Sequence, residues 1–262
     1  MAATLRTTRK EGLGTITLNR PDVHNAFDDV LIGELTDALR AFEDDDRVRI
    51  VMLTGEGASF SAGADLGWMR RMAQASEKEN RKDARQLAKL MRTLNHLDKP
   101  TIARVNGAAF GGGVGLIACC DIAIGVENAK FGLTETRLGL VPAVISPYVI
   151  DAIGARQARR LFLTAEIFDA AEAMRIDLLH RAVPAAQLDA AVQAEIERLR
   201  TAGPLAVVEA KRLVHRIALR DVKERRALDE ENADLIARLR VSAEGQEGLN
   251  AFFGKRRPKW SA

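Results

Sequence analysis

The chain is poor in the residues on which several binding chemistries depend. Only two of its 262 residues are cysteine, and these, Cys119 and Cys120, are neighbours. Adjacent residues close a disulfide only under severe strain, so the pair reads as buried small hydrophobes in a reducing compartment. The four histidines, His24, His96, His180 and His215, are too scattered for a zinc pattern, and no metal site is expected. Aromatic residues make up 5% of the chain, which leaves little to stack on nucleobases or sugars and argues against a single-strand nucleic-acid binder or a lectin. Long apolar runs are also missing: the longest, Val114 to Val126, is interrupted by Asp121 and is too short to span a bilayer. Met1 to Gly12 carries charges and no apolar secretory core. No membrane partner is expected, and the expected location is cytoplasmic.

What is present is the makings of one large core. Hydrophobic residues at 47% against charged residues at 29% exclude a disordered chain, and with so few aromatics the core must be Ala, Val, Leu and Ile. Lys and Arg number 39 against 36 Asp and Glu, a net charge of +3. The pI near 9.0 invites a nucleic-acid reading, but basic and acidic residues are interleaved and form no groove-tracking stripe, so no nucleic-acid partner is expected.

Along the chain, Gly14 to Leu18 and Arg49 to Thr54 are short β-branched runs that close at loops. Between them Leu31, Leu35, Leu39 and Phe42 recur at helical spacing behind a capping Asp28. A polar segment from Trp68 to Leu97 keeps a helical stripe and ends at Pro100; Thr101 to Val105 and Ile122 to Val126 read as further strands, with a glycine-rich loop at Gly107 to Gly115 entering a helix between them. From about Ser146 strand signals nearly vanish, and helical windows run over Ala155 to Leu163, Ala170 to Leu178, Ala185 to Arg200 and Leu205 to Phe253. The pattern predicts an α/β fold with a C-terminal helical region and no flexible joint.

Three segments could carry chemistry. Ser59 to Leu66 is built of small residues whose backbone N–H groups could approach a ligand; equally it could be a strand-to-helix turn with Asp65 as the cap. Gly111-Gly112-Gly113 enters an apolar helical run, placing free N–H donors at the positive helix end, where a phosphate or the oxyanion of an enolised thioester could be stabilised. Gly113 to Ala118 also fits a dinucleotide-binding pattern, with Glu135 about 20 residues on, although the acid of that pattern should close the next strand, at Val126. Glu135 itself sits in an apolar stretch. Burial would raise its pKa and suit it to move a proton at a carbon α to a carbonyl; alternatively it is a helix-start glutamate paired with Arg137.

Together these segments resemble the crotonase (enoyl-CoA hydratase/isomerase) superfamily, on Asn19-Arg20-Pro21 with Asn25-Ala26, Phe60 to Leu66, Asn106-Gly107 with Gly111 to Gly113, Cys120-Asp121-Ile122, Phe131-Gly132 with Glu135, Gly139 with Pro142, and Phe253 to Pro258. The resemblance covers nearly the whole chain. It implies a spiral of ββα units, an acyl-CoA core over residues 1–200 and a helical oligomerisation region over 201–262, assembled as a homotrimer or homohexamer. It implies an oxyanion hole from the N–H groups of Ala64 and Gly112, with Glu135 as the catalytic acid or base. CoA would be bound along Ala62 to Leu66 (Ala62, Ala64, Asp65 and Leu66), with Gly112, His24 and Ala26 nearby. Lys255 would reach the CoA phosphates of a neighbouring subunit, unless the basic end is merely solvated. No cofactor is implied beyond the CoA of the substrate.

The departures narrow the expectation. Family hydratases with two catalytic glutamates carry one three residues after the middle glycine of the triplet, where this chain has Gly115. That substitution is expected to empty space beside the thioester. Where many members have a glycine-rich run after Pro142, this chain has Ala143 to Tyr148, resembling with Gly115 the branch that hydrates methylglutaconyl-CoA and isohexenylglutaconyl-CoA. Hydration is the expected activity. A Δ3,Δ2-enoyl-CoA isomerase working with Glu135 alone, a nicotinamide oxidoreductase, and a CoA-binding protein without chemistry are the alternatives. Acyl specificity is expected to lie in the Trp68 to Leu97 segment and the Ala143 to Tyr148 turn, with Met69 and Met72 as acyl-pocket residues or plain core.

Overall fold

In the computed structural model, residues 3–218 and 222–261 are described. An antiparallel pair opens the chain, β1 (Leu5–Lys10) and β2 (Leu13–Leu18). Five of the six β1 residues are exposed, so no apolar alternation marks it as a strand. Helix α1 (Asp29–Glu43) buries the predicted stripe Leu31, Leu35, Leu39 and Phe42, and Asp28 Oδ1 caps it by accepting from Leu31 N–H at 2.8 Å. Next come β3 (Ile50–Gly55) and the short β4 (Ser59–Ser61). The polar segment after them is not one helix but two, α2 (Leu66–Gln74) and α3 (Glu77–Asn95), because Ser76 and Glu79 form a capping box that starts a new helix.

The chain continues through β5 (Thr101–Val105), β6 (Ala108–Phe110), α4 (Gly112–Cys119), β7 (Ile122–Val126), β8 (Lys130–Gly132) and a 3-10 turn at Glu135–Leu138. Helix α5 (Ser146–Thr164) comes next, kinked at Gly154, and then β9 (Ile167–Asp169), α6 (Ala170–Arg175), β10 (Arg181–Val183) and α7 (Leu188–Thr201). Strands β9 and β10 correct the expectation that strands fade after Ser146: with three residues each they show no periodicity and are held by their ladder partners. The single helical window Leu205 to Phe253 is α8 (Pro204–Ala218), α9 (Val222–Val241) and α10 (Ala243–Phe253), with Ser242 capping the last; residues 219–221 of that window lie outside the described residues.

Two sheets result. The larger has the order β1-β2-β3-β5-β7-β10 and is parallel apart from β1. The smaller, β4-β6-β8-β9, has its first three strands parallel and β9 antiparallel. Ile16, Leu53, Ile102 and Ile124 of the large sheet share one buried cluster with Leu35 of α1 and Leu90 and Leu94 of α3. This is the α/β class expected. Helix α9 lies along α3, and α10 packs on the 3-10 turn that carries Glu135, so these two C-terminal helices pack on their own chain. Among the described residues, no helix is long and apolar enough to cross a membrane.

Candidate active site

The site is built at the ends of three strands too short to be legible in the sequence. Strands β4, β6 and β8 run parallel, with Ser61 beside Ala109 and Ala109 beside Phe131. Parallel strands deliver the loops at their C-terminal ends to one edge of the sheet, the usual place for a ligand in α/β proteins. Ala62 to Asp65, Gly111 to Gly113, and Leu133 to Glu135 therefore emerge side by side.

The glycine triplet sits where each member meets a different neighbour. Gly111 has φ +49°, and a Cβ on it would lie 3.2 Å from Glu135 Oε1. On Gly112 a Cβ would lie 2.8 Å from Cδ2 of the Phe27 ring, and on Gly113 2.6 Å from the Ser61 carbonyl oxygen. A side chain would crowd Glu135 at Gly111, the Phe27 ring at Gly112 and the end of β4 at Gly113. Gly111 N–H is spent on the Gly132 carbonyl at 2.9 Å, whereas the N–H groups of Gly112, in the first turn of α4, and of Ala64 meet no acceptor among the described residues.

The loop carrying Ala64 is held by the segment before α1. Ala62 N–H donates to His24 O at 2.9 Å, Phe27 N–H to Gly63 O at 2.6 Å and Asp65 N–H to Phe27 O at 2.7 Å. Asn25, wholly buried at φ +56°, anchors that segment: its Oδ1 accepts from Arg20 N–H, and its Nδ2 donates to the carbonyls of Glu56 and Ser59. Asn25→Ala removes three hydrogen bonds, although the Ser59 carbonyl keeps a donor in Asn106 Nδ2, and is expected to cost on the order of 3 kcal/mol, at about 1 kcal/mol per bond lost. A urea midpoint unchanged from the parent protein would refute that anchoring role.

Glu135 starts the 3-10 turn with its carboxyl buried and Oε2 without a hydrogen-bond partner. Loss of hydration is the main cause that pushes its pKa up to about 7. The alternative pairing with Arg137 is not formed: Arg137 Nη2 donates to Ala165 O at 2.7 Å instead.

A cavity of about 950 Å³ joins these groups, and His24, Ala26, Ala62, Ala64, Asp65, Leu66, Gly112 and Glu135 all line it. Both oxygens of Asp65 are already engaged: Oδ1 accepts from Gly67 and Trp68 N–H, capping α2, and Oδ2 pairs with Arg20. Lys255 is not part of this lining; it lies exposed beyond the end of α10. Met69 lines the cavity, whereas Met72 packs against the core.

Two expectations are corrected. The space beside Gly115 is not empty, because a Cβ there would lie 2.9 Å from Ile145 Cβ and 3.3 Å from Met91 Cε. Ile145, from the turn after Pro142, fills the place and itself lines the cavity. The dinucleotide pattern also fails in space: Gly113 and Gly115 are buried inside α4 against Ser61 and Ile145, and Glu135 stands at the end of β8, outside the β5–α4–β7 unit.

Sequence reasoning missed Phe27 as the neighbour of Gly112, Ile145 as the filler beside Gly115, and the pair Asp83 and Arg240 in the cavity wall. No local pattern marks them, since each acts on a residue far away in the chain.

Comparison with known proteins points in one direction. A sequence profile described as enoyl-CoA hydratase/isomerase matches residues 8–262. A crotonyl-CoA hydratase of Syntrophomonas wolfei is 33% identical over 251 residues, covering 95% of this chain and 94% of that one. A short-chain-enoyl-CoA hydratase of Clostridium acetobutylicum is 32% identical, with the same coverage. The crystal structure of an enoyl-CoA hydratase from Shewanella pealeana is 46% identical, covers 98% of this chain and 96% of its own, and superposes with a TM-score of 0.80.

Proposed function

The chain belongs to the enoyl-CoA hydratase/isomerase family, and from that premise we propose that it is a lyase adding water across the 2,3-double bond of an enoyl-CoA. The observation that carries the proposal is Glu135: one buried carboxyl with a free oxygen and a pKa near 7, beside two unpartnered N–H groups. In this reading the N–H groups of Ala64 and Gly112 hold the thioester oxygen as charge develops on it. His24, Ala26, Ala62 and Leu66 flank the CoA, Asp65 shapes that wall by capping α2, and Lys255 serves the CoA phosphates of a neighbouring subunit. CoA belongs to the substrate, and no further cofactor is invoked. The exposed apolar residues Leu205, Val214 and Ile217 of α8 support assembly through the 201–262 region into a trimer or a pair of trimers.

With Ile145 in place of a second acid, and with Asp65 and Asp83 engaged in hydrogen bonds of their own, Glu135 serves both proton movements in this reading. Protonated Glu135 gives its proton to the α-carbon while its other oxygen takes a proton from the water that bonds to the β-carbon. The carboxyl ends protonated, as it began, and atoms and charge balance. The methylglutaconyl-CoA-like substrate suggested by Gly115 and the Ala143 to Tyr148 run stays part of the proposal.

Glu135 also fits a second reading, isomerisation, in which the carboxylate removes a proton from the α-carbon and returns it to the γ-carbon; the hydratases among the relatives tip the choice to hydration. The two need opposite forms of Glu135. Hydration by the relay uses the protonated form, so kcat is expected to fall as pH rises through about 7. Isomerisation uses the ionised form, and its kcat falls as pH drops through the same region. Profiles from pH 5 to 9, reading loss of conjugated absorbance from a 2-enoyl-CoA and its gain from a 3-enoyl-CoA, separate the two. Turnover confined to the 3-enoyl substrate rejects the hydratase reading.

A further inference from the structure

The cavity that holds Glu135 has a second polar pole. Arg240 on α9 and Asp83 on α3 line it among Trp68, Met69, Leu87 and Ile236. Their side chains are only 14% and 12% exposed. Arg240 Nη1 donates to Asp83 Oδ2 and to Asn80 Oδ1, each at 3.2 Å, and the guanidinium lies 5.5 Å from the centre of the Trp68 ring. Asp83 Oδ1 accepts from Trp68 Nε1 at 3.0 Å. The carboxylate is thus divided between two donors and meets the guanidinium at one nitrogen only. Arg240 Nε and Nη2 find no acceptor among the described residues.

A guanidinium presents five donors in a planar fork, and the Arg240 nitrogens without a protein acceptor stay accessible and are free to take a ligand's oxygens. A hydrocarbon acyl tail brings no acceptor. A carboxylate brings two oxygens that match the fork. Burial raises the Asp83 carboxyl above its ordinary range, and a second carboxylate arriving beside it pushes in the same direction, weakening the hold of Asp83 on the guanidinium.

The geometry points to Arg240 as the residue that receives a carboxylate carried on the acyl group, with Asp83 and Trp68 orienting its guanidinium. The site then selects acyl-CoA thioesters bearing a distal acid over plain hydrocarbon ones. This inference rests on the enoyl-CoA reading of the cavity and adds the residue that sets its substrate class.

Calorimetric binding of two unreactive saturated thioesters, glutaryl-CoA and pentanoyl-CoA, tests it without requiring turnover. Glutaryl-CoA is expected to bind at least about tenfold more tightly, the scale of hydrogen bonds to a charged group. In Arg240→Gln combined with Asp83→Asn, which leaves no unpaired charge behind, the ratio is expected to fall to about one. Arg240→Lys, a second variant that keeps the charge but not the fork, is expected to retain part of it. Equal or tighter binding of pentanoyl-CoA by the unaltered protein, or a ratio that survives the double substitution, overturns the inference. A protein that prefers glutaryl-CoA yet hydrates no enoyl-CoA contradicts the hydratase reading instead, so the two failures are distinguishable.

Discussion

Replacing Glu135 by Gln is expected to lower kcat by about 10³-fold, within the range of roughly 10²–10⁴ that a positioned acid or base contributes. Gln has nearly the shape of the protonated acid but cannot give up a proton and take one back. The carboxyl makes no hydrogen bond through Oε2 and its pKa is raised by lost hydration, so the neutral amide replaces a group that burial already favours in its neutral form. Stability is therefore expected to hold, and so is affinity for a saturated acyl-CoA, because the proposed thioester contacts, the N–H groups of Ala64 and Gly112, belong to the backbone. The measurement is a pair of assays, turnover of a 2-enoyl-CoA and calorimetric binding of butyryl-CoA. Turnover within tenfold of the parent protein would remove Glu135 from the mechanism, whichever of the two reactions is observed.

The second large effect concerns the acid this chain lacks. Gly115→Glu, which restores a glutamate three residues after Gly112, is expected to destabilise the protein and not to speed it up. A Cβ at that position overlaps Ile145 and crowds Met91, and overpacking a core costs about 1–3 kcal/mol before the burial of a carboxylate is counted. A fall in the thermal midpoint of several degrees is expected for a domain of this size. Combining it with Ile145→Ala opens room and is expected to recover much of the loss. If the single variant is as stable as the parent and more active, Ile145 does not close that space, and the one-carboxyl relay loses its reason.

The sequence carries the large elements of the fold clearly. Leu31, Leu35, Leu39 and Phe42 repeat at helical spacing behind Asp28, and the β-branched runs around Ile16, Leu53 and Ile102 are long enough to show themselves; all are core. It does not carry the small sheet. Strands β4, β6 and β8 have three residues each, too few for an alternation to be distinguished from a turn; β4 and β6 are legible only as parts of small-residue and glycine-rich segments, and β8 only as part of the run leading to Glu135. The break between α2 and α3 is present in Ser76 and Glu79 but is masked by the helical stripe on either side. For the site, motif and resemblance single out Ala64, Gly112 and Glu135, and the fold brings all three to one cavity. Asp65 is expected as a CoA contact or as a helix cap, and its hydrogen bonds bear out the cap.

By itself the sequence determined the α/β class, the position of Glu135 in an apolar stretch, and the absence of a glutamate at position 115. These are local facts, written in residue type and spacing. Only the tertiary structure decided that Ile145 occupies the space beside Gly115, that Arg137 turns away from Glu135, and that Asp83 and Arg240 meet in the same cavity. Each depends on which segments, tens to more than a hundred residues apart, are pressed together. Close packing and the loss of water at such contacts set both the room for a side chain and the pKa of a carboxyl, and neither can be read from a residue and its neighbours in the chain.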